Sequence, residues 1–312
     1  MTPLAENSTV IAAVIGLGSM GLGMARSMKR AGLDVVGYDI TPAAIDRFIT
    51  EGGRGAATPA GAAKDADIVV SVVVNGAQTE AVLFGPEGVA STMKAGAVFI
   101  SSATMDPAVA RNLAQRVEAL GLHYLDAPIS GGAAKAALGE LTIMASGSSR
   151  AFDRARPGLD AMAGKVYELG DAAGTGAAFK MINQLLAGVH IAAACEAITF
   201  AAKQGLDLDR VYEVITASAG NSWMFENRVP HVLAGDYTPL SSIEIFVKDL
   251  GIVQDMARSE RYPAPLAAAA LQMYLAAAGA GMGRDDDSSL ARLYSKLSGA
   301  ELPGSNKKAQ SL

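Results

Sequence analysis

Short runs of apolar, often β-branched residues recur through the first half of the chain. They lie at Val10–Gly16, Leu33–Asp39, Asp67–Val74, Ala97–Ser102, His123–Ile129 and Leu141–Ser146, with a weaker one at Val166–Leu169. Runs this short and this apolar predict strands covered on both faces. Helix signals stand between them. Thr41 and Pro42 place an N-cap and a first-turn proline before Ala43–Gly52. Asp106 and Pro107 do the same for a helix that ends at Gly121. This alternation predicts an α/β fold, a doubly wound parallel sheet of Rossmann type with helices on each side.

The pattern changes after Gly174-Thr175-Gly176, where no convincing strand returns. Phe179–Gln204 reads as one long helix closed by Gly205. Asp209–Ala217, Ile243–Ser259, Pro265–Ala278 and Ser288–Leu297 read as helices too. The expected division is therefore a Rossmann domain over 1–173 and an all-α domain over 174–312. From Ala264 to Gly283 the one clearly polar side chain is Gln272, and the length suits a membrane span. Ala and Gly contribute little apolar area, however, and prolines open the segment while glycines interrupt its end. It reads as a buried helix in a close-packed bundle. The residues from Leu302 onward read as a loose tail.

Composition narrows the function classes. Of 312 residues, 50% are hydrophobic and 18% charged, which is globular and excludes a disordered chain. Lys plus Arg is 26 against 31 for Asp plus Glu, a net charge of −5 with no basic block. That excludes a general grip on nucleic acid and a polybasic attraction to membranes. Cys195 is the single cysteine, so no internal disulfide forms, which fits a reducing compartment. The first residues lack the cationic and apolar regions of a signal peptide. Together these imply a cytoplasmic protein. His123, His190 and His231 are far apart and form no ligand motif with Cys195, so no metal site is expected.

Residues 16–21 read Gly16-Leu17-Gly18-Ser19-Met20-Gly21, directly after an apolar run and before a helix-like one. The first glycine permits a tight turn, the second lets backbone approach a pyrophosphate, and the third lets helix pack on strand. The next strand ends in Asp39, 18 residues after Gly21. A carboxylate there accepts hydrogen bonds from both ribose hydroxyls of NAD and repels a 2′-phosphate. The plain alternative is a glycine-rich turn in a non-binding domain, with Asp39 capping a turn.

Four motifs in order make the chain resemble the β-hydroxyacid dehydrogenase family. Gly16–Ala25 matches its G-L-G-x-M-G-x-x-M-A opening, and Asp126–Gly132 its D-x-P-V-S-G-G substrate motif. Gly174–Gln184 matches the G-x-G-x-x-x-K-x-x-N-[NQ] catalytic motif, and Lys248-Asp249-Leu250 a further K-D-L. The resemblance implies Lys180 as catalytic base, a substrate site at Ser130, Gly131, Gly132, Asn183 and Gln184, and cofactor contacts from Thr104 and Lys248. It also implies a homodimer or homotetramer. The chain departs from the family at Ser101-Ser102-Ala103-Thr104, where Ala103 lacks a hydroxyl and takes no role. Within the family, Ser218–Pro239 and Phe246–Val253 are most similar to the L-threonate dehydrogenase branch. That branch implies NAD-dependent oxidation of a small polar hydroxyacid.

The residues support this without the resemblance. Asn183, Gln184 and Ala187 stand three, four and seven positions after Lys180 and share its helix face. Flanking Phe179, Met181, Ile182, Leu185 and Leu186 suggest burial nearly all round. Alcohol oxidation needs a proton acceptor, and a partly desolvated lysine can serve as a neutral amine. A solvated helix face is the competing account. For Ser130–Gly132 it is an ordinary strand-to-helix turn, and for Lys248 a surface lysine. Trp223 and Phe225 suit a pocket lining or the core equally. The polar content of Asn221–Arg228 favours a polyhydroxy acid over the branched substrate of a 3-hydroxyisobutyrate dehydrogenase. A non-catalytic dinucleotide sensor is the rival of another class, and it has no need of Lys180.

Overall fold

The computed structural model describes residues 9–303. It divides into two compact units, the first ending at Lys180 and the second beginning at Met181. The chain start and the tail after Pro303 lie outside the described residues.

The first unit runs β1 (Ile11–Ile15), α1 (Gly21–Arg30), β2 (Asp34–Tyr38), α2 (Pro42–Thr50), β3 (Arg54–Gly55), α3 (Pro59–Ala63), β4 (Ile68–Ser71), α4 (Gly76–Phe84), β5 (Val98–Ser101), α5 (Pro107–Glu118) and β6 (His123–Asp126). These strands form one parallel sheet in the order β3-β2-β1-β4-β5-β6. Successive side chains of β1 serve opposite faces. Ala12 and Val14 pack with Met24 and Met28 of α1, while Ala13 and Ile15 join Val69, Phe99 and Leu113 in a second core. Both faces are dry, so the runs carry no polar alternation. Strand order reverses between β1 and β4, and in such sheets ligands bind beyond the strand ends at that point.

One expected strand divides in two. Within His123–Ile129, β6 stops at Asp126, and β7 (Ile129–Ser130) pairs with β8 (Leu141–Ala145) in a separate sheet. Pro128 lies at the break, where a residue without an N–H cannot continue a ladder. α6 (Gly132–Leu138) links β7 to β8, and α7 (Ser149–Met162) leads to β9 (Ala163–Glu168), which joins β8 in parallel.

The remaining elements are helical, as expected, and include one over Trp223–Ala234 that is not among the helices read from the sequence. α8 (Thr175–Lys203) begins in the first unit and continues into the second. It is followed by α9 (Leu208–Thr216), α10 (Trp223–Ala234), α11 (Ile243–Ser259), α12 (Pro265–Ala277) and α13 (Leu290–Ser298). Phe246 of α11 stacks on Tyr274 of α12 at 5.2 Å, and the Tyr274 hydroxyl donates to the Gly188 carbonyl at 3.1 Å. α8 and the segment Pro265–Met282 are both long and apolar enough to cross a membrane by length and composition. α12 buries one face, through Ala267, Ala270, Tyr274 and Ala277, and exposes Leu266 and Leu275. It is not a helix buried all round: Ala267, Ala270 and Ala277 lie on the packed side, while Ala269 and Ala276 are exposed.

Candidate active site

The turn between β1 and α1 shows why its glycines are needed. Gly16 has φ +97°, and a Cβ there would stand 2.7 Å from the Val72 carbonyl oxygen. A Cβ on Gly21 would collide with the Gly16 carbonyl, whereas Gly18 faces open space. Helix α1 follows with Met20 at its N-cap, no capping side chain and no acid in its first turn. By contrast, Thr58, Asn75, Asp106 and Ser148 cap α3, α4, α5 and α7. First-turn N–H groups without a capping side chain, at the positive end of a helix, suit an anion.

Parallel pairing of Ile15 with Tyr38 brings Asp39 to this turn. Its Oδ2 accepts from the Leu17 N–H at 2.7 Å and its Oδ1 from the Thr41 N–H at 2.8 Å. Each oxygen keeps a lone pair for a ribose hydroxyl. The open approach at Gly18, the uncapped helix and this oriented carboxylate fit a nicotinamide dinucleotide. Thr104 follows β5 and is half-buried, beside a buried Ala103.

At the end of β6, Asp126 is fully buried. Its Oδ2 accepts from the N–H groups of Gly174 at 2.9 Å and Ala177 at 2.8 Å, with Ser146 Oγ 3.4 Å away. Ser146 Oγ accepts from Gly176 N–H at 2.9 Å. Two side chains therefore take up three N–H groups at the start of α8, one turn before Lys180. Burial pushes the Asp126 carboxyl up to about 6, opposed by the Ala177 and Gly174 N–H groups. In the sequence Asp126 stands within a motif and carries no role of its own. Its one signal there is an acid closing the apolar run Tyr124-Leu125.

Ser130 closes β7, opposite Thr142 of β8. Gly131, with φ +130°, precedes α6, and Gly132 begins it. Ser130 and Gly131 are half-buried and Gly132 is exposed, so the turn presents a hydroxyl and backbone together.

The polarity of α8 is inverted relative to expectation. Lys180 and Gln184 are buried and Asn183 half-buried, while Phe179, Ile182 and Leu186 are about half-exposed in the single chain. Burial is therefore not all round: the polar side chains point inward and an apolar stripe points out. In the second unit, Asn183 Nδ2 donates to Gln184 Oε1 at 3.0 Å, and Gln184 Nε2 donates to Asp249 Oδ2 at 2.5 Å. Lys248 Nζ lies 2.5 Å from the other oxygen, Oδ1, of buried Asp249.

Within Asn221–Arg228 several polar groups pair with neighbouring segments, while Asn221 Oδ1 is buried without a hydrogen-bond partner among the described residues. Asn221 Nδ2 donates to Glu226 Oε1 and to the Thr216 carbonyl, and Arg228 forms a buried bidentate pair with Asp287. Phe225 is core, stacked on Tyr212, and Trp223 is exposed. Cys195 is buried in the helical core, where burial pushes its thiol up. Among the described residues no cluster of His, Cys, Asp and Glu could hold a metal.

Residues 11–170 match the NAD binding domain of 6-phosphogluconate dehydrogenase. Residues 174–294 match the domain described as NAD-binding of NADP-dependent 3-hydroxyisobutyrate dehydrogenase. An L-threonate dehydrogenase of Cupriavidus necator is 54% identical over 291 residues, 93% of this chain and 97% of that protein. The chain belongs to the 3-hydroxyisobutyrate dehydrogenase-like family. An L-threonate dehydrogenase of Escherichia coli K12 is 49% identical over 93% of this chain and 96% of its own length. A crystal structure of a 3-hydroxyisobutyrate dehydrogenase from Salmonella typhimurium superposes with a TM-score of 0.87 at 51% identity, covering 91% of this chain and 99% of that one. The chain is thus an NAD-binding oxidoreductase with a Rossmann-type first unit and a helical second unit. The second match is to a domain described as NAD-binding, and the sequence implies one cofactor contact, Lys248, in that helical region.

Proposed function

We propose that this chain oxidises L-threonate with NAD to 2-dehydro-L-erythronate. The observation that carries the substrate is the 54% identity across nearly the whole Cupriavidus L-threonate dehydrogenase. A 3-hydroxyisobutyrate dehydrogenase is the second reading, favoured by the Salmonella structure, which bears that name at 51% identity, and a tartronate semialdehyde reductase is its related alternative.

In this reading the Lys180 amine accepts the alcohol proton, and as an ammonium it returns that proton in the reverse direction. The Ser130 hydroxyl and the Gly131 and Gly132 N–H groups hold the substrate carboxylate. Asn183 and Gln184 hold its hydroxyl side. Leu17, Gly18, Ser19 and Met20, framed by Gly16 and Gly21, seat the pyrophosphate. Asp39 takes the adenosine ribose and disfavours a 2′-phosphate, and Thr104 and Lys248 complete the cofactor contacts. When bound, the nicotinamide supplies the hydride acceptor. A boundary at 173/174 separates the nucleotide-binding part from a helical substrate and oligomerisation part. The exposed stripe of Phe179, Ile182, Leu186 and Phe200 supports a homodimer or homotetramer. A cytoplasmic place fits the single buried thiol, Cys195.

A panel of C3 to C6 hydroxyacids, each offered with NAD and with NADP, tests this by NADH or NADPH absorbance. L-Threonate with NAD should give the highest kcat/KM. A higher value with 3-hydroxyisobutyrate would replace the substrate, and equal rates with NADP would remove the role of Asp39.

A further inference from the structure

We propose that Asp249 is a positioning residue that fixes the polarity of the Asn183 amide, so that Asn183 meets the substrate with its carbonyl oxygen. The inference rests on the reading that Asn183 contacts substrate. Two hydrogen bonds in series carry it. An ionised carboxylate only accepts, so the group 2.5 Å from Asp249 Oδ2 must be the Gln184 amide nitrogen. The Gln184 carbonyl is thereby turned the other way, and it too only accepts. The group 3.0 Å from Gln184 Oε1 must then be the Asn183 amide nitrogen. Asn183 Oδ1 is left facing away from the relay. Among the described residues the Asn183 side chain makes no other hydrogen bond.

An isolated amide flips freely between donor and acceptor faces. This one is locked from a charged end two residues away, and a bond to an ionised group is about twice as strong as a neutral one. Lys248 against the second Asp249 oxygen supplies the countercharge that lets the carboxylate sit buried. An acceptor at Asn183 recognises an O–H donor. It therefore selects the alcohol form of the substrate and an acid with a hydroxyl placed to reach it, and it gives no hydrogen bond to an oxo group at that position.

The test exchanges the two ends of the relay. The wild type, Asp249→Asn, Gln184→Glu and the double variant Asp249→Asn/Gln184→Glu are compared on the panel acid that the wild type oxidises best, with NAD affinity and melting temperature as folding controls. Asp249→Asn lets the Gln184 amide turn over and should raise KM about tenfold, the usual scale of one lost hydrogen bond to a charged group, with a smaller change in kcat. Gln184→Glu sets two carboxylates face to face and should do at least as much harm. The double variant restores the order, because the carboxylate now at position 184 accepts from the amide now at position 249 and from Asn183. Its KM should return to within about threefold of wild type. A double variant no better than Asp249→Asn would overturn the relay. A readout without turnover separates this from failure of the substrate assignment: Asp249→Asn should shift the side-chain amide resonances of both Gln184 and Asn183. An unmoved Asn183 signal would also overturn it.

Discussion

Asp126 in the first unit and Asp287 in the second are both fully buried, and burial pushes both carboxyls up to about 6. They are held by different means. Asp126 accepts from the N–H groups of Gly174 and Ala177, so the start of α8 supplies its countercharge. Asp287 meets the guanidinium of Arg228 at 2.6 and 3.1 Å, which ties α10 to the turn before α13. A carboxylate on a helix end fixes where the helix begins and hence where its next turn lies. A carboxylate on an arginine cross-links two segments and directs nothing further. The first arrangement sets the turn that carries Lys180, the proposed proton acceptor, and the second serves the scaffold. Three expectations, of decreasing size, separate the two.

The largest concerns Lys180, one turn after the N–H groups that Asp126 holds. Lys180→Ala should lower kcat by about 10²–10⁴-fold, the range for losing a positioned proton acceptor. The Gly16–Gly21 turn lies in a different segment, so NAD affinity measured by fluorescence titration should stay near wild type. A folded variant with near-normal kcat would leave Asp126 holding nothing catalytic, and the contrast with Asp287 would vanish.

The second concerns the scaffold pair. Arg228→Ala leaves a buried carboxylate uncompensated, which costs about 3–5 kcal/mol. Urea unfolding at pH 7 should show that loss, and Arg228→Met/Asp287→Leu should recover most of it. If Arg228→Ala unfolds at the wild-type midpoint, the pair is not the cross-link described here.

The same contrast explains what the sequence made legible. The strand runs, the glycine turn and Asp39 were readable because parallel strands covered on both faces show as unbroken apolar runs, and because the turn needs specific backbone freedom. Lys180 was readable as a charge in an apolar helix. What escaped depends on distant partners. Asp126 meets residues about 50 positions away, Gln184 meets Asp249, and Arg228 meets Asp287. Local periodicity carries no record of such pairings. The stripe of Phe179, Ile182 and Leu186 misled for the same reason: apolar residues announce a covered face without saying what covers it. α10 stands outside the helices read from the sequence, and it carries an interior proline, Pro230, a residue that ordinarily argues against a helix.

The smallest expectation is a pH slope, and its sign follows from the shift. The Asp126 carboxyl titrates at about 6 when folded and close to the ordinary aspartate value when unfolded. Between those values the native state binds more protons than the unfolded chain. Stability therefore falls as pH rises from about 4 to 6 and is level above that. Acidifying from pH 7 to pH 5 returns about 1 kcal/mol from this group. Asp287 responds in the same sense, so wild type alone does not separate them. Asp126→Asn does, because it cannot titrate and every other group is shared. The gain in urea unfolding free energy from pH 7 to pH 5 should be smaller in Asp126→Asn by about 1 kcal/mol. Activity should move the other way: at pH 7 the variant should lose kcat by about tenfold, since a neutral amide accepts the α8 N–H groups more weakly than a carboxylate. Identical slopes in the two proteins would mean that Asp126 keeps its charge across this range, and the helix start would then be as fixed as the Arg228–Asp287 pair.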